Sequence, residues 1–238
     1  MGPMTAVADG LHPATRAELS GLPLEVAPHL LGGILRVEAS DGAVAIRITE
    51  VEAYHGRGTG DIPDPGSHAR MGRTDRNATM WGEPGHLYVY LSHGIHSCVN
   101  VVCGPDGLAG GVLLRAGEVV EGADLARRRR QQRKPRADGA ARCAPAIADR
   151  DLARGPGRFG QAIGLRHPAD DGVDAVGGGP VSLHLRNGLA AGISTGPRVG
   201  VAGIAGTAAF PWRFFLAGDP TVSVFRAGRG AVEAASAS

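Results

Sequence analysis

Apolar positions along this chain recur at two periods, and each period predicts elements. From Leu22 to Leu35 ("LPLEVAPHLLGGIL") their mixed spacing predicts a short helix that stops at the glycine pair Gly32 and Gly33, with a strand from Ile34 to about Val37. The clearest strand is "AVAIRITEVEAY", Ala43 to Tyr54, rich in β-branched residues. Simple alternation puts Val44, Ile46, Ile48, Glu50, Glu52 and Tyr54 on one face, which begins apolar and ends in two carboxylates and an aromatic ring.

Glycine and proline in "GRGTGDIPDPGS" mark a loop between Tyr54 and Arg76 that is too long for a plain connector. "LYVYLSHGIHSCVNVV", Leu87 to Val102, predicts a hairpin with His93 and Gly94 at its tip. Alternation there sets Tyr88 and Tyr90 on one face and Leu87, Val89 and Leu91 on the other. A further strand is expected at "GGVLLRAGEVV", Gly110 to Val120, followed by a helix that enters a basic segment. Seven of the ten residues from Arg127 to Arg136 are basic and none is acidic, which suits either a solvated face or contact with phosphate. The last third mixes turns with short strands around "RGPGRFGQAIGL", "GPRVGVAGIAG" and "PWRFFLAGDPTVSVF". With no repeat and no linker, one α+β domain is expected over residues 16–228, between small, polar tails at 1–15 and 229–238 expected to be disordered.

Composition narrows the classes. A chain of 238 residues that is 43% hydrophobic can bury a sizeable core. It lacks both an apolar run of about 18 residues and the charged and apolar regions of a signal peptide, so no membrane contact is expected and the cytoplasm is the expected compartment. Cys98, Cys103 and Cys143 form no CxxC and leave one thiol unpaired under any pairing, which fits a reducing compartment. The basic residues are almost all arginine, with Lys134 the only lysine, a bias that GC-rich coding explains as readily as phosphate binding does.

Candidate chemistry gathers on the strands. Glu50 and Glu52, at i and i+2, could divide acid and base roles or, with His55 and His68, hold a metal for hydrolysis, although no HExxH-like spacing is present. All three tyrosines, Tyr54, Tyr88 and Tyr90, fall near the ends of these two strands. In a chain with 4% aromatics that clustering suggests a stacking surface for flat ligands, though a cross-strand aromatic pair is the plainer reading. "GPGRFGQAIG" matches neither a Walker nor a dinucleotide fingerprint, "GxSxG" is absent, and Cys98 reads as a buried structural thiol.

Taken in order, "ITEVEAYHG", "SHARMGRTDRNATMWGEPGHLYVYLSHGIHSCVNVV", "VLLRAGEVVEG", "GPGRFGQAIG" and "RVGV" followed by "PWRFF" resemble the alkyladenine (3-methyladenine) DNA glycosylase family, over roughly residues 20 to 226. The resemblance implies a single-domain α+β fold with a curved, largely antiparallel β-sheet and surrounding helices, unlike the helix-hairpin-helix glycosylases. It implies a monomer acting on double-stranded DNA that contains damaged purines (3-methyladenine, 7-methylguanine, hypoxanthine, ethenoadenine), with the bacterial-type chromosome as its target and neither cofactor nor metal. The nucleotide would be flipped out at a cost of a few kcal/mol that damage reduces.

By the same resemblance, Glu52 matches the general base that activates water against the sugar C1′, and Arg115 the arginine that helps hold that water. Tyr54, His68 and Tyr90 match the pocket around the flipped base, and Asn100 the residue that crowds the 2-amino group of normal guanine. His93 stands where well-known members carry a tyrosine wedge, and the loop from Tyr54 to His68 is longer than in many relatives. Arg127, Arg128, Arg129 and Arg130 are expected to meet DNA phosphates. With Lys134 outside every motif, a monofunctional enzyme without AP lyase activity is expected, since strand cutting uses an amine that forms a Schiff base. The rival readings are a non-catalytic module that binds lesions or abasic sites, and metal-dependent hydrolysis through Glu50, Glu52, His55 and His68.

Overall fold

The computed structural model describes residues 10–132 and 146–231. The chain enters through β1 (Leu11–Pro13), α1 (Arg16–Leu19) and α2 (Pro23–Leu30). Thr15 caps α1 in a reciprocal capping box with Glu18, and the predicted stop of α2 holds, with Gly32 at φ 77° just beyond it. Then come β2 (Ile34–Ala39), β3 (Gly42–His55), β4 (Leu87–Ser92), β5 (His96–Val102), β6 (Gly110–Glu121), α3 (Ala123–Gln131), β7 (Ala153–Arg154), α4 (Pro156–Ile163), β8 (Val181–Arg186), β9 (Ile193–Gly196) and β10 (Arg213–Leu216).

These strands make one open antiparallel sheet in the order β1-β8-β2-β3-β6-β5-β4, with β10 between β3 and β9 and β7 on β6. The fold is a single α+β domain. Leu11–Pro13 pairs with β8, so the sheet begins inside the stretch 1–15 expected as a tail. Residues 1–9 and 232–238 of the expected tails, Lys134, Cys143 and the end of the basic run lie outside the described residues. "TVSVF" forms no strand.

One face of the sheet carries the core. Leu87 and Val89, Val99 and Val101, and Val112 and Leu114 pack against Leu30 of α2, Ala126 of α3 and Phe159 and Ile163 of α4. The intervening residues Tyr88, Tyr90, Cys98, Asn100, Leu113 and Arg115 point the other way, into a cleft. The tyrosine face of the hairpin thus lies where alternation predicts it.

Strand β3 departs from that prediction. Its pairing with β6 slips between Ile48 and Glu50 and again between Glu50 and Val51. Val44, Ile46, Ile48, Val51 and Ala53 belong to the core, whereas Glu52 and Tyr54 line the cleft. The apolar start and the acidic end of the strand therefore occupy opposite faces. An inserted residue reverses the parity of all that follow, which simple alternation cannot anticipate.

Candidate active site

Register assembles the cleft from distant parts of the chain. Glu52 pairs with Leu113, Leu113 with Asn100, and Asn100 with Tyr88, so one cross-strand row runs through β3, β6, β5 and β4. Next to it, Tyr54, His68, Tyr90, Cys98, Arg115 and Val199 also line a cleft of about 600 Å³. That volume is within the usual range for small-molecule sites, and a purine fits it.

Two hydrogen bonds hold Glu52, which is fully buried, and an arginine stands beside it. The Val199 backbone N–H donates to Oε1 at 2.7 Å, the Tyr54 hydroxyl donates to Oε2 at 2.8 Å, and Arg115 Nη1 stands 3.5 Å from Oε1. A carboxylate has about four acceptor positions, so room is left for a water molecule. Burial, with the Glu52 charge beside it, pushes the Tyr54 phenol well above its ordinary value, so it acts as a donor at neutral pH.

The aromatic wall is a packed cluster. Tyr88 and Tyr90 stack with centroids 5.4 Å apart at 22°, and the His68 ring meets Tyr90 edge-on at 4.6 Å. The two tyrosines are neighbours along one strand, opposite Asn100 and Cys98, not the cross-strand aromatic pair of the plainer reading. Burial is the main reason that both phenols are raised, Tyr88 to about 12. Burial, followed by Arg70 and Arg76, lowers the His68 imidazole, which favours its neutral form. The Asn100 amide donates to the Tyr88 carbonyl at 3.0 Å, which fixes its side chain in the cleft wall. Cys98 is buried as expected, its thiol raised to about 11 chiefly by burial, and it also borders the cleft.

His93 stands exposed at the hairpin tip, at the mouth of the cleft. Both tip residues have positive φ, 50° at His93 and 68° at Gly94, and Ile95 N–H closes the turn on the Ser92 carbonyl at 3.0 Å. A turn of this hand matches the twist of the flanking strands. Histidine in that region is strained, a cost that glycine would avoid.

The proposed metal set does not assemble. His55 is buried against Trp212 with ring centroids 5.3 Å apart, His68 belongs to the tyrosine cluster, and Glu50 is engaged by arginines. Among the described residues no group of three or more His, Cys, Asp or Glu side chains converges in metal-binding geometry.

Comparison with known proteins agrees with this architecture. Residues 18–220 match the model of the methylpurine-DNA glycosylase (MPG) family. The chain belongs to that family. Proteins named "Putative 3-methyladenine DNA glycosylase" from Leifsonia xyli subsp. xyli, Nocardia farcinica and Streptomyces avermitilis are 52%, 50% and 45% identical to it. The aligned parts cover 85%, 86% and 90% of this chain and 88%, 87% and 92% of theirs.

A methylpurine-DNA glycosylase acts on DNA, so the basic helix bears on how this chain meets it. Within α3, Arg129 is buried, pairs with Asp41 and donates to the Ala162 and Ile163 carbonyls at the end of α4. Arg127 pairs with Asp124 and Asp149, and Arg130 donates to the Asp151 and Leu152 carbonyls. Of the four arginines expected at DNA, Arg129 is buried, Arg127 and Arg130 are half-buried and paired within the chain, and Arg128 is exposed. The amphipathic pattern explains why: Leu125, Ala126 and Arg129 share the inward side of the helix. Glycine in α4 has a packing role, since a Cβ on Gly160 would come within 2.1 Å of the Ser97 carbonyl oxygen.

Sequence reasoning missed the supports of this candidate site. Arg198 is fully buried, pairs with both oxygens of Asp64 at 2.8 Å and lies 4.5 Å from the Tyr54 ring centroid. Asp64 sits in a stretch that reads as turn chemistry, and "RVGV" gives no sign that the Val199 amide reaches a glutamate. Arginine inside an otherwise apolar, glycine-rich segment was the one available signal.

Proposed function

We propose that this protein is a monofunctional glycosylase of base excision repair. It flips alkylated or deaminated purines, such as 3-methyladenine, 7-methylguanine, hypoxanthine and ethenoadenine, out of duplex DNA and hydrolyses the N-glycosidic bond. The observation that carries this reading is the Glu52 carboxylate beside an aromatic cleft, held by the Val199 amide and the Tyr54 hydroxyl, with Arg115 3.5 Å away.

In this mechanism the base enters between Tyr54 on one side and His68 and Tyr90 on the other. Stacking contributes about 1–3 kcal/mol per base, and ring-alkylated cationic purines gain more from the faces of the tyrosines. Glu52 accepts a proton from a water molecule as the water oxygen bonds to C1′. Arg115 orients that water, and the carboxylate stabilises positive charge on the sugar. The C1′–N bond breaks with its electron pair going to the base. 3-Methyladenine and 7-methylguanine, cationic before cleavage, leave neutral, whereas hypoxanthine and ethenoadenine, neutral before cleavage, leave as anions that take a proton from solvent water. Asn100 limits the room for the 2-amino group of normal guanine. His93 fills the vacated stack, as inserted side chains do in minor-groove binding. No step needs an amine nucleophile, so the product is an intact strand with an abasic site. The relatives named above are bacterial, which points to the chromosome in the cytoplasm as the place of action.

The test is a panel of duplexes, each with one lesion, incubated with purified protein in EDTA. Free base and an unbroken strand are expected, with nicks only after alkaline heating. Tight binding without base release would favour the lesion-binding module, and cleavage without heating would refute monofunctional action.

A further inference from the structure

Glu50 is the acid that this reaction leaves unused. It leaves β3 two residues before Glu52, yet it does not line the cleft and its side chain is 0% exposed. Three hydrogen bonds and one further ion pair surround its oxygens. Arg213 Nε lies 2.6 Å and Arg115 Nε 3.1 Å from Oε1, the Ser223 hydroxyl lies 2.9 Å from Oε1, and the Ser223 N–H donates to Oε2 at 2.7 Å. Arg213 also donates to the Ser223 carbonyl at 2.9 Å, which ties the last strand and the loop after it to the same carboxylate.

Buried and outside the cleft, this carboxylate is closed to water and substrate, so it cannot share acid–base duty with Glu52. Its contact with Arg115 has another consequence. Arg115 Nε lies between Glu50 and the Ser223 hydroxyl, which is 3.2 Å away, while Nη1 stops 3.5 Å short of Glu52. That last separation exceeds a good hydrogen bond. The guanidinium is held by its inner nitrogen, with Nη1 on the side of Glu52. Glu50 and Glu52 together balance Arg115 and Arg213.

We propose that Glu50 is a positioning residue, which holds Arg115 by Nε so that the guanidinium orients the attacking water and does not collapse into a direct pair with Glu52. This rests on the glycosylase reading. The charged and titratable groups around Glu52 are Tyr54 on β3, Tyr90 on β4, Cys98 on β5, Arg115 on β6 and Arg198 before Val199. Those on Glu50 are Arg115 and Arg213. Replacing Glu50 by glutamine removes one negative charge from this set, and Arg115 turns to the carboxylate that remains. Glu52 then becomes a weaker base, and its water is misplaced.

The experiment is single-turnover base release, with full-length enzyme in excess, from duplexes carrying one hypoxanthine or one ethenoadenine, across a pH series. For Glu50→Gln the plateau rate is expected to fall by about 100-fold, the effect of a misplacement of roughly 1 Å. The acid limb is expected to move to lower pH, and lesion-duplex Kd to change by less than about 3-fold. Ser223→Ala, which keeps the charges and removes one hydroxyl, is expected to lower the plateau by less, about 10-fold, and serves if Glu50→Gln does not fold. A folded Glu50→Gln, or in its absence Ser223→Ala, with the plateau and acid limb of the wild type overturns the assignment alone. Absence of base release by the wild type from either duplex overturns the glycosylase reading with it.

Discussion

The guanidinium of Arg198 lies on the ring of Tyr54, 4.5 Å from its centroid, while both oxygens of Asp64 grip it at 2.8 Å. This pair links the long loop after β3 to the segment that presents the Val199 amide to Glu52. Removing the carboxylate strands a cation in the interior, at a cost of about 3–5 kcal/mol. Asp64 also accepts from the His55 and Gly66 amides. Asp64→Ala is therefore expected to lose at least that much unfolding free energy in denaturant titrations. A midpoint equal to the wild type would show that the pair is not a support.

His55 is fully buried, and among the described residues neither of its ring nitrogens has a hydrogen-bond partner. Burial holds it below the ordinary 6.5, as it does His68 and His184. The unfolded chain takes up protons on these imidazoles near pH 6.5, where the folded protein does not. Their contribution to stability is thus fully present above that pH and is lost as the pH falls through the folded values. Denaturant midpoints are expected to decline as the pH drops below about 6.5, with a shallower decline in His55→Leu. Equal slopes in the two proteins would contradict this.

Within the basic helix, Arg128 and Arg129 are expected to separate cleanly. Arg128→Ala is expected to reduce the slope of log Kobs against log salt by about 0.9 for each phosphate that Arg128 neutralises, with stability unchanged. Arg129→Ala is expected to destabilise folding, since it removes the Asp41 pair and the hydrogen bonds to two carbonyls. An unaltered salt slope in Arg128→Ala would make the helix a solvated face.

At the hairpin tip, His93→Gly is expected to preserve or slightly raise thermal stability, because glycine adopts positive φ without strain. His93→Ala is expected to weaken lesion-duplex binding by about 10-fold or more while changing the single-turnover rate much less, as loss of a wedge implies. A fall confined to the rate would place His93 in the chemistry.

Much of this was legible in the sequence because elements that bury one face repeat their pattern. The alternation in "LYVYL" predicts which side of the hairpin carries Tyr88 and Tyr90, and Gly32 and Gly33 predict the end of α2. The slip around Glu50 was not legible, because a bulge is a pairing event between two strands and leaves no mark in β3 alone. Arg129 shows the same limit from the other side. In a run of four identical residues only helix geometry and the presence of Asp41 decide which one turns inward.

The central claim is that Glu52 activates the water that releases the base. Its most direct test compares wild type with Glu52→Gln on a hypoxanthine duplex in EDTA under single-turnover conditions. The expected result is base release by wild type and a loss of about 100-fold or more in Glu52→Gln, with lesion binding retained. Release by Glu52→Gln as fast as by wild type would contradict the claim.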